Sequence, residues 1–291
     1  MRYTAAMDLA ETRLIESHSA ASWRAELKLR YECIDGRTVL TERAHQGPLR
    51  VQKSLHPEGD AVCQNIIVHP PAGIVGGDSL ALNVDVGANT FAQLTTPGAA
   101  KWYRSEGPVA RQDIALRVAN RAVLEWLPQG TIVFDGAIAE LDTKIDLAGD
   151  AVLIGWDIVC LGRAAAGERF SRGSWRQRLT IARDNVPVFI ERCALGGNAA
   201  LLASPVGLND AAVFGTFLAS IRSLPEGALV QCREPVPAVG EVAVTGARGC
   251  IIARYRGPSA EASQAYFAEL WSRLRPLLIG RAAMSPRIWK T

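Results

Sequence analysis

The chain has 291 residues, of which 48% are hydrophobic and 21% are charged, and its formal net charge at pH 7 is only +3. Nucleic-acid-binding proteins usually carry a concentrated basic stripe, so this weak, scattered charge argues against that class. No apolar run reaches the roughly 18 residues that a membrane-spanning helix needs, and acidic residues interrupt the N-terminus where a signal peptide requires an apolar core. We therefore expect a cytoplasmic protein.

The sequence shows no familiar catalytic or metal-binding motif. Its six cysteines are scattered without a C-x-x-C pair, and the close Cys/His spacing of a zinc site is absent. In a reducing compartment such thiols behave as small buried apolar residues. There is also no G-x-S-x-G serine motif and no phosphate loop. These features favour a binding protein over an enzyme.

Most of the chain alternates as short β-strands do. Residues 1–20 are polar and alanine-rich, which predicts a mobile leader. Alternation begins after Trp23, and the turn signal Asp35–Gly36 predicts a hairpin. Strand-like runs then recur about every 10 residues, separated by Gly, Pro, Asn or Asp. These runs cover 49–55, 62–68, 80–86, 90–95, 110–118, 122–127, 131–135, 142–147, 151–159, 175–182, 187–191, 199–203, 241–245 and 250–255.

Two stretches show helical spacing instead. Apolar residues over Leu208–Ile221 follow a helix-like stripe, and Ser259–Arg275 repeats more clearly with a 3.6-residue period. The proline-rich segment 222–240 between them predicts a loop with at most one short strand. We expect one β-rich domain over 21–280, followed by a basic tail, 281–291, that is mobile or docks on a partner.

One stretch stands out between two strand-like runs. His69–Asp78 reads H-P-P-A-G-I-V-G-G-D, in which prolines stop a strand ladder and glycines allow a sharp turn. In isolation it indicates a structural corner, because it lacks the Gly-Lys-Ser/Thr ending of a phosphate loop.

This stretch resembles the signature of the urease accessory protein UreD family, called UreH in some systems. Further blocks follow in the family's order: G-P-L-R-V-Q at 47–52, T-T-P-G-A-A-K-W-Y-R-S at 95–105, L-E-W-L-P-Q at 124–129, F-D-G-A at 134–137 and C-L-G-R at 160–163. Together they cover about residues 22–275. The chain departs from the pattern at Gly130, where the family often has a polar or acidic residue.

The resemblance implies a mainly β fold, a β-helix-like body of many short strands with two α-helices. It also implies a chaperone required for nickel insertion into apo-urease, acting in a complex with UreF and the GTPase UreG. No tightly bound cofactor is expected, although nickel could pass through transiently. The absence of dense Cys/His clusters fits a carrier that must release its metal.

Four carboxylates inside or beside the family-like blocks are our candidates for lining a nickel route: Asp78, Glu125, Asp135 and Glu168. Each also has a structural interpretation. Asp78 and Asp135 suit turns, Glu125 could face solvent or pair with an arginine, and Glu168 could pair with a neighbouring arginine.

Candidate partner contacts come from two regions. Lys101, Trp102, Tyr103 and Arg104 would form an aromatic and cationic patch, and Tyr266 and Trp271 lie on the second predicted helix. The alternative is that the aromatics complete the core while the cations reach solvent.

Two alternatives to urease maturation remain open at this point. A β-helix lyase or hydrolase would bring two acids together in an open cleft with shifted pKa values. A structural interaction module would have no metal role.

Overall fold

The computed structural model describes residues 22–163 and 166–290. Strands dominate it. The strands are β1 (Arg24–Ile34), β2 (Arg37–Gln46), β3 (Arg50–Val51), β4 (Val62–Val68), β5 (Ser79–Val86), β6 (Phe91–Thr95), β7 (Ala100–Trp102), β8 (Ala110–Val118), β9 (Val123–Leu127), β10 (Thr131–Val133), β11 (Ile138–Leu147), β12 (Val152–Leu161), β13 (Ser174–Arg183), β14 (Val186–Gly196), β15 (Val213–Ser220), β16 (Glu241–Ala247) and β17 (Cys250–Gly257). The helices are α1 (Ala200–Ala203), α2 (Ala228–Arg233) and α3 (Ala260–Ile279), with a 3-10 turn at Arg287–Lys290.

The chain passes back and forth between two sheets. In the ten-stranded sheet, β4, β6, β9 and β12 pair in parallel, and in the seven-stranded sheet β1, β5, β8, β11 and β13 do the same. Apart from the short strands β7 and β10, the strands from β4 to β13 alternate between the two sheets, which produces a β-solenoid of about four turns. The predicted β-helix-like fold is therefore confirmed.

Antiparallel strands close the solenoid. β2 pairs with β1 at one edge of the seven-stranded sheet, and β14 pairs with β13 at the other. In the ten-stranded sheet, β15, β17 and β16 follow β12 in that spatial order, each antiparallel to its neighbour. One hydrophobic core lies between the two sheets, and a second lies between the ten-stranded sheet and the helices α2 and α3.

Helix α3 covers the outer face of the ten-stranded sheet, as its sequence period predicted. Ser259 caps its first turn by accepting a hydrogen bond from the backbone N–H of Ala262 at 3.1 Å. Gly280 ends the helix at φ 69°, in the left-handed region that glycine tolerates. Tyr266, Phe267 and Trp271 are buried on its sheet-facing side.

The other predicted helix is wrong. Leu208–Ile221 contains strand β15, in which nearly every side chain is buried because both faces of the sheet are covered. Such a strand is apolar at every position, including positions at helical spacing. Conversely, the strand predicted at 199–203 is the short helix α1, and the region around Val230 is α2 rather than a strand.

The basic tail contacts its own chain. The Trp289 ring lies 5.7 Å from the Trp156 ring and 5.9 Å from the Trp271 ring, and its Nε1 donates to Thr95 Oγ1 at 2.8 Å. The predicted leader over residues 1–20 falls outside the described residues.

All six cysteines lie within the described part of the chain. Four are buried as expected, whereas Cys33 is exposed and Cys193 is half-buried. No helix among residues 22–163 and 166–290 is both long and apolar enough to cross a membrane.

The second core supplies a stability prediction. Phe267→Ala should lower the free energy of unfolding by about 3–5 kcal/mol, because a fully buried ring leaves a cavity between α3 and the sheet. Ser272→Ala, on the exposed face of the same helix, should change it by less than about 0.5 kcal/mol. Urea unfolding of both variants measures the difference, and equal midpoints would contradict this packing.

Candidate functional site: an interior cavity

A cavity of about 500 Å³, here called the main cavity, lies between the two sheets. Parallel pairing aligns equivalent residues of neighbouring strands in rows that face inward. Two such rows of the seven-stranded sheet line the cavity: Leu80, Gln112, Leu141 and Gln177, and beside them Leu82, Ile114, Thr143 and Leu179. The glutamines and the threonine interrupt rows that are otherwise aliphatic.

The ten-stranded sheet forms the opposite wall. Here Trp126, Gly155 and Leu218 are register partners on β9, β12 and β15. Gly155 has no side chain to project inward, and a Cβ atom at this position would lie 2.8 Å from the carbonyl oxygen of Trp126. This glycine therefore both permits close strand packing and leaves space in the interior.

The family-like motifs build one end of the main cavity, here called the mouth. Its lining includes Ala72, Pro97 and Gly98, which are exposed, together with His69 and Lys101. Burial lowers the pKa of His69, and its Nε2 is buried without a hydrogen-bond partner. The two segments that carry these residues meet at the mouth, which explains why both belong to one signature.

Two glycines are required at the mouth for steric reasons. Gly73 lies directly against the Tyr103 ring, and a Cβ atom there would collide with it. Gly130 has φ 108°, and a Cβ atom would lie 3.1 Å from the carbonyl oxygen of Ile158. A side chain at residue 130 would therefore be strained in this chain.

Asp157 and Gln177 lie elsewhere in the main cavity. The Gln177 Nε2 donates to Asp157 Oδ2 across the gap between the sheets, and Trp175 Nε1 donates to Gln177 Oε1 at 3.2 Å. Burial raises the pKa of Asp157 to about 6, and the nearby Glu191 carboxylate contributes to the rise. Neither residue was among our sequence-based candidates.

A second, smaller cavity of about 20 Å³, here called the small chamber, adjoins this pair. Asp157 and Gln177 line both spaces, and Glu191 and Cys193 of β14 line only the small chamber. Glu191 is paired with Arg254, while burial, Glu191 and Asp157 raise the pKa of Cys193 to about 11. Across the two described stretches of the chain, no cluster of three or more His, Cys, Asp or Glu residues has a metal-binding arrangement.

Three of the four predicted route carboxylates have structural partners outside the cavity lining. Asp78 accepts hydrogen bonds from the backbone N–H groups of Trp23 at 2.8 Å and Val75 at 3.0 Å. Asp135 is paired with Arg172, whose guanidinium holds the pKa of that carboxyl well below its usual range. These contacts correspond to the structural interpretation given above.

Glu168 is likewise held by an arginine. Arg163 Nη2 donates to its carboxylate at 2.6 Å and lowers its pKa, and the backbone N–H of Asp135 donates to it at 3.1 Å. The residue therefore ties Arg163 to the backbone of Asp135.

Glu125 is fully buried on the opposite face of its sheet from the main cavity. Its carboxylate accepts from Arg275 Nε at 2.8 Å, Trp271 Nε1 at 2.7 Å and Gln93 Nε2 at 2.6 Å. Arg275 also binds both carboxylate oxygens of Glu58 at 2.7 and 2.8 Å. Burial raises the pKa of Glu125 despite these partners. The network ties α3 to the solenoid.

Trp102, Tyr266 and Trp271 were predicted as partner contacts, which requires exposed side chains, but all three are buried. Trp102 is fully buried against the Trp175 ring, at a centroid distance of 5.4 Å, and Tyr266 and Trp271 belong to the second core. The predicted patch is thus reduced to Lys101, Tyr103 and Arg104, whose side chains reach the surface beside the mouth.

The buried ion pair supplies a second prediction. Arg275→Met should lower the free energy of unfolding by about 3–5 kcal/mol, since it removes the buried cation that pairs with Glu125 and Glu58. Arg273→Met removes solvent-exposed pairs from the same helix and should cost less than about 1 kcal/mol. Adding Glu125→Gln to Arg275→Met should recover part of the loss, and a strictly additive double variant would contradict the pairing.

Asp157 supplies a prediction of pH dependence. The unfolded chain releases the Asp157 proton near pH 4, whereas the folded chain retains it until about pH 6, so rising pH favours unfolding within this window. Wild-type stability should therefore fall relative to Asp157→Asn by about 2 kcal/mol between pH 4.5 and 7.5. Urea unfolding at both pH values tests this, with the exposed Asp113→Asn as control. Parallel pH profiles of wild type and Asp157→Asn would contradict it.

Comparison with known proteins agrees with the motifs at the mouth. The family model described as UreD urease accessory protein matches residues 24–290. A protein of Dechloromonas aromatica (strain RCB) named urease accessory protein UreD is 53% identical over 274 residues, covering 93% of this chain and 95% of that protein. One of the same name from Azoarcus sp. (strain BH72) is 51% identical and covers 92% and 94%. The chain belongs to the UreD urease accessory protein family.

Proposed function

We propose that this chain is a urease maturation factor, a cytoplasmic chaperone that acts on apo-urease during nickel insertion. Family membership supports the role in maturation. The structural observation that carries the proposal further is the main cavity, because it occupies the interior of a solenoid that could have been filled with aliphatic side chains.

The main cavity suits a conduit for a hydrated metal ion. A nickel ion with six waters needs on the order of 200 Å³ at about 30 Å³ for each water, and the cavity holds about 500 Å³. Its lining is mostly apolar, and its polar groups include Gln112, Thr143, Thr216 and the hydrogen-bonded pair of Asp157 and Gln177. A borderline cation can exchange waters for such oxygens without being retained. We infer that nickel passes through the cavity transiently.

The proposed complex contains UreF, the GTPase UreG and apo-urease. GTP hydrolysis is assigned to UreG, since this chain has no phosphate-loop motif. Lys101, Tyr103 and Arg104 are the residues near the mouth that we propose for a partner contact. Aromatic and arginine side chains are frequent anchors at such interfaces.

A carboxylate-dependent lyase or hydrolase has one observation in its favour. Asp157 and Glu191 line the same small chamber, and their proximity contributes to the raised pKa of Asp157. The chamber has room for about one water molecule, so a substrate ring does not fit between the two acids. Glu191 is also neutralised by Arg254. The conduit accounts better for the much larger main cavity.

Filling the main cavity tests the conduit. Thr143→Trp places an indole among Ile114 and Leu179, where the empty space accommodates it. In cells producing urease and all accessory proteins, we expect at least a roughly tenfold loss of nickel in purified urease, with the complex still formed. Thr180→Trp, on the outward face of β13, is the matched control.

The result separates the proposal from an interaction module without a metal role. Normal nickel content with Thr143→Trp, in a complex that contains the variant, would refute the conduit. Loss of the complex with both variants would instead show that tryptophan is not tolerated in this sheet. The stability of each purified variant is measured in parallel.

A further inference from the structure

Asp157 and Gln177 occupy the boundary between the two interior spaces. Both residues line the main cavity and the small chamber, and they come from opposite sheets, on β12 and β13. Their hydrogen bond therefore spans the interior. Beyond it the small chamber is lined by Glu191 and Cys193 of β14, the edge strand of the seven-stranded sheet.

The Gln177 side chain is held in a defined orientation. Trp175, two residues earlier on the same face of β13, donates its Nε1 proton to Gln177 Oε1 at 3.2 Å. This contact directs the Gln177 NH₂ group toward Asp157. Trp175 is itself fully buried against Trp102, so it cannot move away without disturbing the core.

Asp157 is chemically distinct within the main cavity. It supplies the one carboxylate among the described lining residues, and the titratable groups with it are His69 and Lys101 at the mouth. The charged or titratable groups near its other side are Glu191 and Cys193 on β14 and Arg254 on β17. Arg254 is paired with Glu191. The hydrogen bond that Asp157 accepts from Gln177 comes from a neutral amide.

We propose that Asp157 and Gln177 form the selectivity constriction of this interior passage, where a divalent cation displaces the Gln177 amide from the Asp157 carboxylate to reach the small chamber. The inference rests on the proposed conduit. A divalent cation interacts more strongly with the Asp157 carboxylate than the neutral Gln177 amide does, so the exchange is favourable. An anion is repelled by the same carboxylate and is excluded. At the constriction the ion meets one carboxylate, and the Glu191 carboxylate beyond it is engaged by Arg254, so the available ligands are too few to retain the ion.

Three variants and a control test the constriction, with nickel as the probe. Asp157→Asn keeps the size of the side chain and removes its charge, Gln177→Ala removes the donor and widens the gap, and the double variant combines both changes. Asp113→Asn, on the exposed face of β8, is the control. The time course of nickel incorporation into apo-urease is measured in the complete maturation system, together with complex formation.

We expect Asp157→Asn to slow nickel incorporation roughly tenfold, and Gln177→Ala to be at least as fast as wild type. The double variant should remain slow, because a wider gap does not replace the carboxylate. A fast double variant would show that only the width of the gap matters and would overturn the proposed role of Asp157.

The outcomes also separate this inference from the conduit itself. If Asp157→Asn incorporates nickel at the wild-type rate while Thr143→Trp blocks incorporation, the constriction is refuted and the conduit stands. If neither variant slows incorporation, both are refuted.

Discussion

The in-register parallel pairing of the strands is the constraint on which this structure depends. Each turn of the solenoid places its strand in register with the strand of the preceding turn. Equivalent inward-facing residues of successive turns therefore form a row along the interior. In the row Val84, Leu116, Ile145 and Ile181, Ile145 alone reaches the cavity lining, whereas every residue of the two rows that contain Gln112, Thr143 and Gln177 lines it. The position of the cavity is thus set by a few polar substitutions in stacked rows.

The strands and the last helix could be predicted from the sequence because their patterns are local. Alternation at β1 and β5 and the 3.6-residue period of α3 each report one buried face. The failure at β15 has a physical cause. Helix α3 covers one face of this strand and the solenoid interior the other, so no polar alternation remains in its sequence. Periodicity alone cannot separate such a strand from a buried helix.

The candidate site was harder to predict because the sheet is buried on both faces. A carboxylate within an apolar strand indicates a buried charge that needs a partner or has a function. Both Glu125 and Asp157 show this pattern, so it does not distinguish them. Register decides between them: Glu125 pairs with Ile154, so it faces α3, while Asp157 has the opposite parity and faces the cavity. The signature motifs did indicate the mouth, yet nothing in them reveals which strand residues lie beneath it.

The Trp289 contact bears on how deletions of the tail are interpreted. Trp156 touches both Trp289 and the main cavity, so the tail and the cavity share one side chain. A chain shortened after Gly280 would expose the Trp156 and Trp271 indoles to solvent. This new apolar surface could change partner binding by itself. Charge reversal at the exposed residues Arg287 and Lys290 leaves that aromatic stack in place and reports on binding alone.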